Sequence, residues 1–352
     1  MAKLNRRQFS ALLWSAPLWA AHPRGMSDGL PVNNRPGQRK SILSRMELAM
    51  GPFPKKKAKP PLDMKIIGRA DTSTIFRWKI SYASEEGDRT PGYLLRPKEL
   101  TGRVPGILCL HQTTPLGAAE PAGLGGNPDY HYAEELAERG YVTIAPDYPD
   151  LPFGQGFGGY HWDAYRHGYK SQTMKGIWNH RRAVDLLQSL PEVDGQRIGC
   201  IGHSLGGHNT LFVGAFDTRI RVLVSSCGFT RFKDYHGGQL SGWGQERYMP
   251  LIAIRYHNNP AEMPFDFSDV LTALAPRPLF INAPLHDANF SVEGVKATLK
   301  VVEPFYASRF HAGNQLVVRH PDAAHSFPTT VRHEAYAFIN KWLQHKSQRD
   351  VK

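Results

Sequence analysis

From residue 64 onward, short runs of β-branched and aliphatic residues alternate with stretches whose apolar positions recur at helical spacing. Residues 74–83 alternate apolar and polar, as a strand with one face in solvent does, and Glu85-Glu-Gly-Asp88 turns the chain into a second strand over 92–96. Runs over 104–110, 141–145, 197–201, 220–225, 278–283 and 315–320 are apolar with little alternation, so both of their faces are expected to be covered. Helices are predicted over 131–139, closed by Gly140, and along Met174, Ile177, Trp178, Val184 and Leu187, ending before Pro191. Further helices are expected over 205–215, 292–305 and 331–345. Alternation of this kind predicts an α/β fold, a mostly parallel sheet with helices on both faces and an antiparallel edge. Residues 148–170 and 228–266 are rich in Gly, Pro and aromatics and poor in periodicity, and are read as insertions that shape a pocket.

Charge changes the picture only at the start of the chain. Of 43 Lys/Arg and 31 Asp/Glu, residues 1–60 hold 12 and 2, which leaves a net +2 of the total +12 for everything after them. A nearly neutral core removes the case for nucleic acid as a partner. The lead itself begins Asn5-Arg6-Arg7-Gln8-Phe9 and continues into an apolar stretch, Ala11 to Ala21. That order is similar to a twin-arginine export signal over residues 1–21, with a basic lead over 22–60 that is either flexible or wraps the domain, and it predicts a periplasmic or secreted protein. No apolar run reaches the ~18 residues needed to cross a bilayer. Cys109, Cys200 and Cys227 end or interrupt apolar runs without any Cys-x-x-Cys, so they are expected to be buried thiols with no zinc knuckle.

The chemistry centres on Gly202-His-Ser-Leu-Gly206. The serine stands where a buried strand turns sharply into a helix, which is the context the motif requires: flanking glycines relieve the crowding, and the turn lifts Oγ clear of the sheet. A serine hydroxyl needs a base, and a histidine base needs a carboxylate to fix its tautomer. Both are expected after Ser204 in the chain, in loops at the carboxyl ends of strands. Asp287, after the strand 278–283, and His325, after 315–320, satisfy that placement better than Asp266, Asp269, His286, His311, His320 or His333. An oxyanion would take one amide from Leu205 and one from the loop after Leu110, with Thr113 preferred and Gln112 second.

Leu110-His-Gln-Thr, Ala145-Pro-Asp-Tyr-Pro, Gly202-His-Ser-Leu-Gly-Gly, Ala275-Pro-Arg-Pro, Asp287 and His325 together resemble the dienelactone-hydrolase-like and acetyl-xylan-esterase-like branch of the α/β-hydrolases, over about residues 64–346. The resemblance implies one catalytic domain over 61–346, a mostly parallel eight-stranded sheet, and Ser204, Asp287 and His325 as the triad. Dienelactone hydrolases proper use a cysteine nucleophile; serine here moves the expectation to ordinary carboxylic esters. Gln112 also stands where a glycine commonly follows the histidine.

The resulting expectation is a serine ester hydrolase for short-acyl esters such as acetylated carbohydrates. Gly154-Gln-Gly-Phe-Gly-Gly159 fits a dinucleotide motif in letters only, since no strand leads into it, and no cofactor or metal is implied. A prolyl-oligopeptidase-like peptidase, a thioesterase and a catalytically silent binding protein are the rival readings. Tyr148, Phe153, Phe157, Tyr160, Trp162, Phe229, Tyr235, Trp243 and Tyr248 either form a sugar platform or pack the insertions onto the sheet.

Overall fold

The computed structural model describes residues 36–55, 59–151 and 158–347. The strands are β1 (Lys65–Arg69), β2 (Ile75–Glu85), β3 (Asp88–Pro97), β4 (Val104–Leu110), β5 (Val142–Pro146), β6 (Val193–His203), β7 (Ile220–Ser226), β8 (Leu279–Asn282) and β9 (Leu316–Arg319). They form one nine-stranded sheet in the order β1-β2-β3-β5-β4-β6-β7-β8-β9. The six strands from β5 to β9 in that order run parallel, and β1, β2 and β3 add an antiparallel edge. Every residue of β4, β5 and β8 is buried, as unbroken apolar runs demand. The sheet therefore has one strand more than expected. β1, Lys-Ile-Ile-Gly-Arg, leaves both isoleucines in solvent and has no buried face to produce an alternation; pairing to the edge of β2 is what makes it a strand.

The helices are α1 (Pro36–Met50), α2 (Tyr132–Glu138), α3 (Gln172–Ser189), α4 (Leu205–Phe216), α5 (Leu251–Tyr256), α6 (Phe267–Leu274), α7 (Val292–Pro304) and α8 (Thr329–Trp342). Side chains of α3, α4, α6 and α7 pack together on one face of the sheet, and those of α2 and α8 on the other. α6, unread in the sequence, starts with a reciprocal capping box between Asp266 and Asp269. These two carboxylates cap a helix.

Residues 36–50, read as part of a flexible or wrapping basic lead, form a helix joined to the core. Ile42, Met46, Ala49 and Met50 are buried, Arg45 pairs with Asp269 on α6 at 2.6 Å, and Ser171 donates to the Met50 carbonyl at 2.7 Å. Met46→Ala is expected to lower stability by about 2–5 kcal/mol in a denaturant titration, the range for truncating a buried methionine; a change inside about 0.5 kcal/mol would mark α1 as a surface passenger.

The first insertion is tied down by charge. Lys175 of α3 is wholly buried and contacts Asp88 at 2.5 Å and Glu85 at 3.2 Å, with Asn179 Oδ1 at 2.6 Å. Tyr160 donates to both Asp88 oxygens at 2.8 Å, and Tyr169 donates to Glu85. The β2–β3 hairpin, α3 and the segment after residue 157 thus meet on one buried ion cluster.

Candidate active site

The carboxyl ends of the parallel strands gather the reactive side chains. β6 passes into α4 through Ser204 at φ 53°, ψ −117°, a conformation that a residue with a Cβ adopts only when its surroundings enforce it. The glycines are required by packing: a Cβ on Gly202 would lie 2.2 Å from the Gly206 carbonyl oxygen, and one on Gly206 would lie 1.9 Å from that of Leu110. The Ser204 amide donates to Ser226 at 2.8 Å, fixing the turn to β7. Leu205 is the first residue of α4, so its N–H has no acceptor within the helix and sits at its positive end.

Asp287 follows β8 and His325 follows β9. His325 Nδ1 lies 2.9 Å from both Asp287 oxygens, and Oδ1 also accepts the Asn289 and Phe290 amides at 2.8 and 2.9 Å. Burial pushes the Asp287 carboxyl up, but His325 and the two amides outweigh it and hold the group below the usual carboxylate range. With Nδ1–H given to Asp287, the other ring nitrogen is left as the acceptor a general base needs. The two loops are stitched together by Ala283 N–H to Arg319 (2.9 Å), Leu285 N–H to Pro321 (2.9 Å) and His286 N–H to Ala323 (3.0 Å).

Two residues that sequence reasoning did not single out complete the setting. Tyr130 donates to the His325 carbonyl at 3.3 Å. Its ring stacks on buried His203 at 4.4 Å, and His203 lies 4.9 Å from the His325 ring. Since His203 directly precedes Ser204, that contact brings the histidine loop to the serine turn. His203 had a signal in its place inside Gly-His-Ser; Tyr130 had none. The competing histidines are engaged elsewhere: His286 pairs with Asp322 at 2.7 Å in solvent, and His320 Nδ1 meets the Ala283 carbonyl at 2.7 Å.

The loop after β4 abuts the serine turn through the Leu110–Gly206 contact. His111 is buried with Nδ1 2.6 Å from the Gln112 carbonyl; burial lowers its pKa to about 4, against the opposing hydrogen bond, so the ring is neutral and structural. Gln112 donates to Glu120 at 3.0 Å, and Thr113 Oγ1 is 3.5 Å from the Tyr248 hydroxyl. Gln112 and Thr113 follow directly on the Leu110–His111 backbone, whose carbonyls lie against Gly206 of α4. Nearby, buried Asp147 accepts the Ala118 amide at 2.7 Å.

Burial, partly offset by that amide, raises the Asp147 pKa to about 7. The raised value means that the folded state holds a proton the unfolded chain has already released, so stability from this group is present at acid pH and lost as pH climbs from about 4 to about 7. Asp147→Asn, which keeps the acceptor, is expected to flatten that loss, whose slope is at most about 1.4 kcal/mol per pH unit. Parallel stability curves for the two proteins between those pH values would contradict it.

A narrow pocket beside the serine turn is lined by Tyr148, Pro149, Gln172, Thr173, Leu205, Asn209, Arg247 and Tyr248. Arg247 is held by buried Asp150 at 2.7 Å, and Gln172 Oε1 is buried without a protein partner. Of the aromatic residues in the insertions, Tyr148, Tyr160, Phe229 and Trp243 are buried, while Trp162, Tyr235 and Tyr248 are half-exposed. Phe229 and Trp243 join the hydrophobic core, Tyr160 joins the Lys175 ion cluster, and Tyr148 also lines the pocket. Phe153 and Phe157 lie outside the described residues, as do residues 154–157 of the glycine-rich motif; Gly158 packs against Asp147.

The chain is 30% identical over 272 residues to "Putative hydrolase YtaP" of Bacillus subtilis, a match spanning 73% of this chain and 84% of that protein. This chain belongs to the α/β-hydrolases. Residues 154–308 match the family model described as glucuronyl esterase of fungi. The α/β-hydrolase fold is shared with a glucuronoyl esterase from Solibacter usitatus at a TM-score of 0.67 and 19% identity, covering 86% of this chain and 91% of that one. It is also shared with an acetyl xylan esterase from Paenibacillus sp. R4 at a TM-score of 0.57 and 16% identity, covering 89% and 96%. All three described thiols of this α/β-hydrolase are buried, and no helix among the described residues is long and apolar enough to cross a membrane.

Proposed function

We propose that this α/β-hydrolase cleaves carboxylic esters of carbohydrates through an acyl-enzyme on Ser204, with His325 as base and Asp287 as its orienting carboxylate. The observation that carries the reading is the pair of 2.9 Å contacts from His325 Nδ1 to Asp287 in a loop set against the strained serine turn. His325 takes the Ser204 proton as Oγ attacks the ester carbonyl, returns it to the leaving alcohol, and then draws a proton from water to release the acid. Leu205, with Thr113 or Gln112, supplies amides to the tetrahedral oxyanion.

The narrow pocket beside Leu205, lined by Tyr148 and Tyr248, favours a short acyl group, and the likeness to an acetyl xylan esterase supports acetyl as that group. A second reading, a uronoyl ester whose acid part is the sugar, is favoured by the glucuronyl esterase model over 154–308. The test compares acetylated xylo-oligosaccharides, a methyl ester of glucuronic acid, and p-nitrophenyl acetate, butyrate and octanoate. Turnover of acetyl esters falling with chain length supports the first reading, and turnover of the uronate ester alone supports the second. No turnover of any ester would overturn both.

The Arg6-Arg7 lead, which lies outside the described residues, supports export by a twin-arginine route and action outside the cytoplasm. Replacing both arginines by lysine is expected to leave the protein in the cytoplasmic fraction; unchanged fractionation would refute that route.

A further inference from the structure

We propose that Cys227, together with Asp287 and His325, forms a site for a thiophilic divalent cation, Zn2+ or Cd2+, whose binding switches off ester hydrolysis. The proposal rests in part on the reading of His325 as the base. Cys227 is a buried thiol that the proposed mechanism does not use. It follows β7 in a left-handed conformation, φ 47°, with its amide donated to Asn282 at 2.8 Å and Sγ 3.3 Å from the Ser326 carbonyl. That turn aims the sulfur at the loops carrying the acid and the base: one ligand atom each from Cys227, Asp287 and His325 lies within 4.8 Å of the others. The His325 side chain is 26% exposed, while Cys227 and Asp287 are buried.

Sulfur, imidazole nitrogen and carboxylate oxygen are the ligands zinc takes, and three of them leave a fourth position for water. Binding would form a metal–sulfur, a metal–Nδ1 and a metal–oxygen bond. The thiol proton leaves to solvent, and the imidazole stays neutral: as Nδ1 gives up its proton to bind the metal, Nε2 takes one up from solvent. A neutral imidazole coordinated through Nδ1 carries its remaining proton on Nε2. That nitrogen can no longer accept the proton of Ser204, so the serine loses its base while the fold is unchanged.

The test titrates Cd2+ into the full chain and into its Ser204→Ala, Cys227→Ala and Cys227→Ser variants, following the ultraviolet charge-transfer absorption of a cadmium–thiolate bond. Zn2+ inhibition of p-nitrophenyl acetate hydrolysis is measured in parallel. Expected are absorption saturating at one equivalent in the parent and in Ser204→Ala, none in either Cys227 variant, and a rise of about 100-fold or more in the inhibitory Zn2+ concentration when the thiol is removed. That rise is the upper end of what losing a mere outer-shell partner costs. Cys227→Ser preserves volume and guards against a folding defect. Absorption that survives in the Cys227 variants, or its absence from the parent, would overturn the site. Absorption without any ester turnover in the parent would keep the site and remove the esterase reading.

Discussion

Ser204→Ala is expected to lower kcat for ester hydrolysis by about 10⁶-fold, with His325→Ala costing about as much and the double variant little more. The non-additivity follows from the chemistry: without its base the hydroxyl of Ser204 is a poor nucleophile, and without the hydroxyl the base has nothing to activate. A residue of about 10³–10⁴ over water should persist in each, since the amides of Leu205 and the 112–113 loop still polarise the ester. Asp287→Asn should cost about 10⁴, because an amide at 2.9 Å from His325 Nδ1 can hold the ring in the wrong tautomer. Steady-state kinetics on p-nitrophenyl acetate measure all four. A loss in Ser204→Ala of only a few fold would point to a different nucleophile.

The second large effect lies away from the chemistry. Asp88→Ala is expected to destabilise the fold by about 3–5 kcal/mol, because it strands the Lys175 ammonium, wholly buried, with Glu85 as its one remaining carboxylate contact at 3.2 Å. Lys175→Met combined with Asp88→Ala should recover much of that loss, since the two charges leave together. The same cluster holds Tyr160, so Asp88→Ala should also loosen the segment that leads from Tyr148 to α3 at the pocket and raise KM more than it lowers kcat. Urea titration and ester kinetics on the two variants check both parts; a double variant no more stable than Asp88→Ala alone would show that the charges are not coupled.

What could be read in the chain follows from which forces leave a periodic trace. Strands buried on both faces announce themselves, as β4, β5 and β8 do; β9 was expected to be covered on both faces, but it is the edge strand and none of its residues is fully buried. Ser204, Asp287 and His325 were picked out because the proposed chemistry ties each to a strand end, and the structure brings Asp287 and His325 into direct contact. α1 and β1 were not. α1 carries Arg39, Lys40, Arg45 and Glu47 among its buried apolar positions and lies in a basic, Pro- and Gly-rich lead, and β1 is defined by backbone pairing alone. Tyr130 and Cys227 reach the site through contacts between distant segments, Tyr130 to the His325 carbonyl and Cys227 to that of Ser326. No local pattern encodes those. The ion cluster around Lys175 is likewise silent in sequence, where lysine is expected at the surface.

The measurement that bears most directly on Ser204 as nucleophile is the site of covalent capture by a fluorophosphonate, read by mass spectrometry of the digested protein. The account predicts a single adduct on the peptide containing Ser204, absent in Ser204→Ala and greatly slowed in His325→Ala. An adduct on another residue, or labelling that persists at full rate without His325, would contradict it.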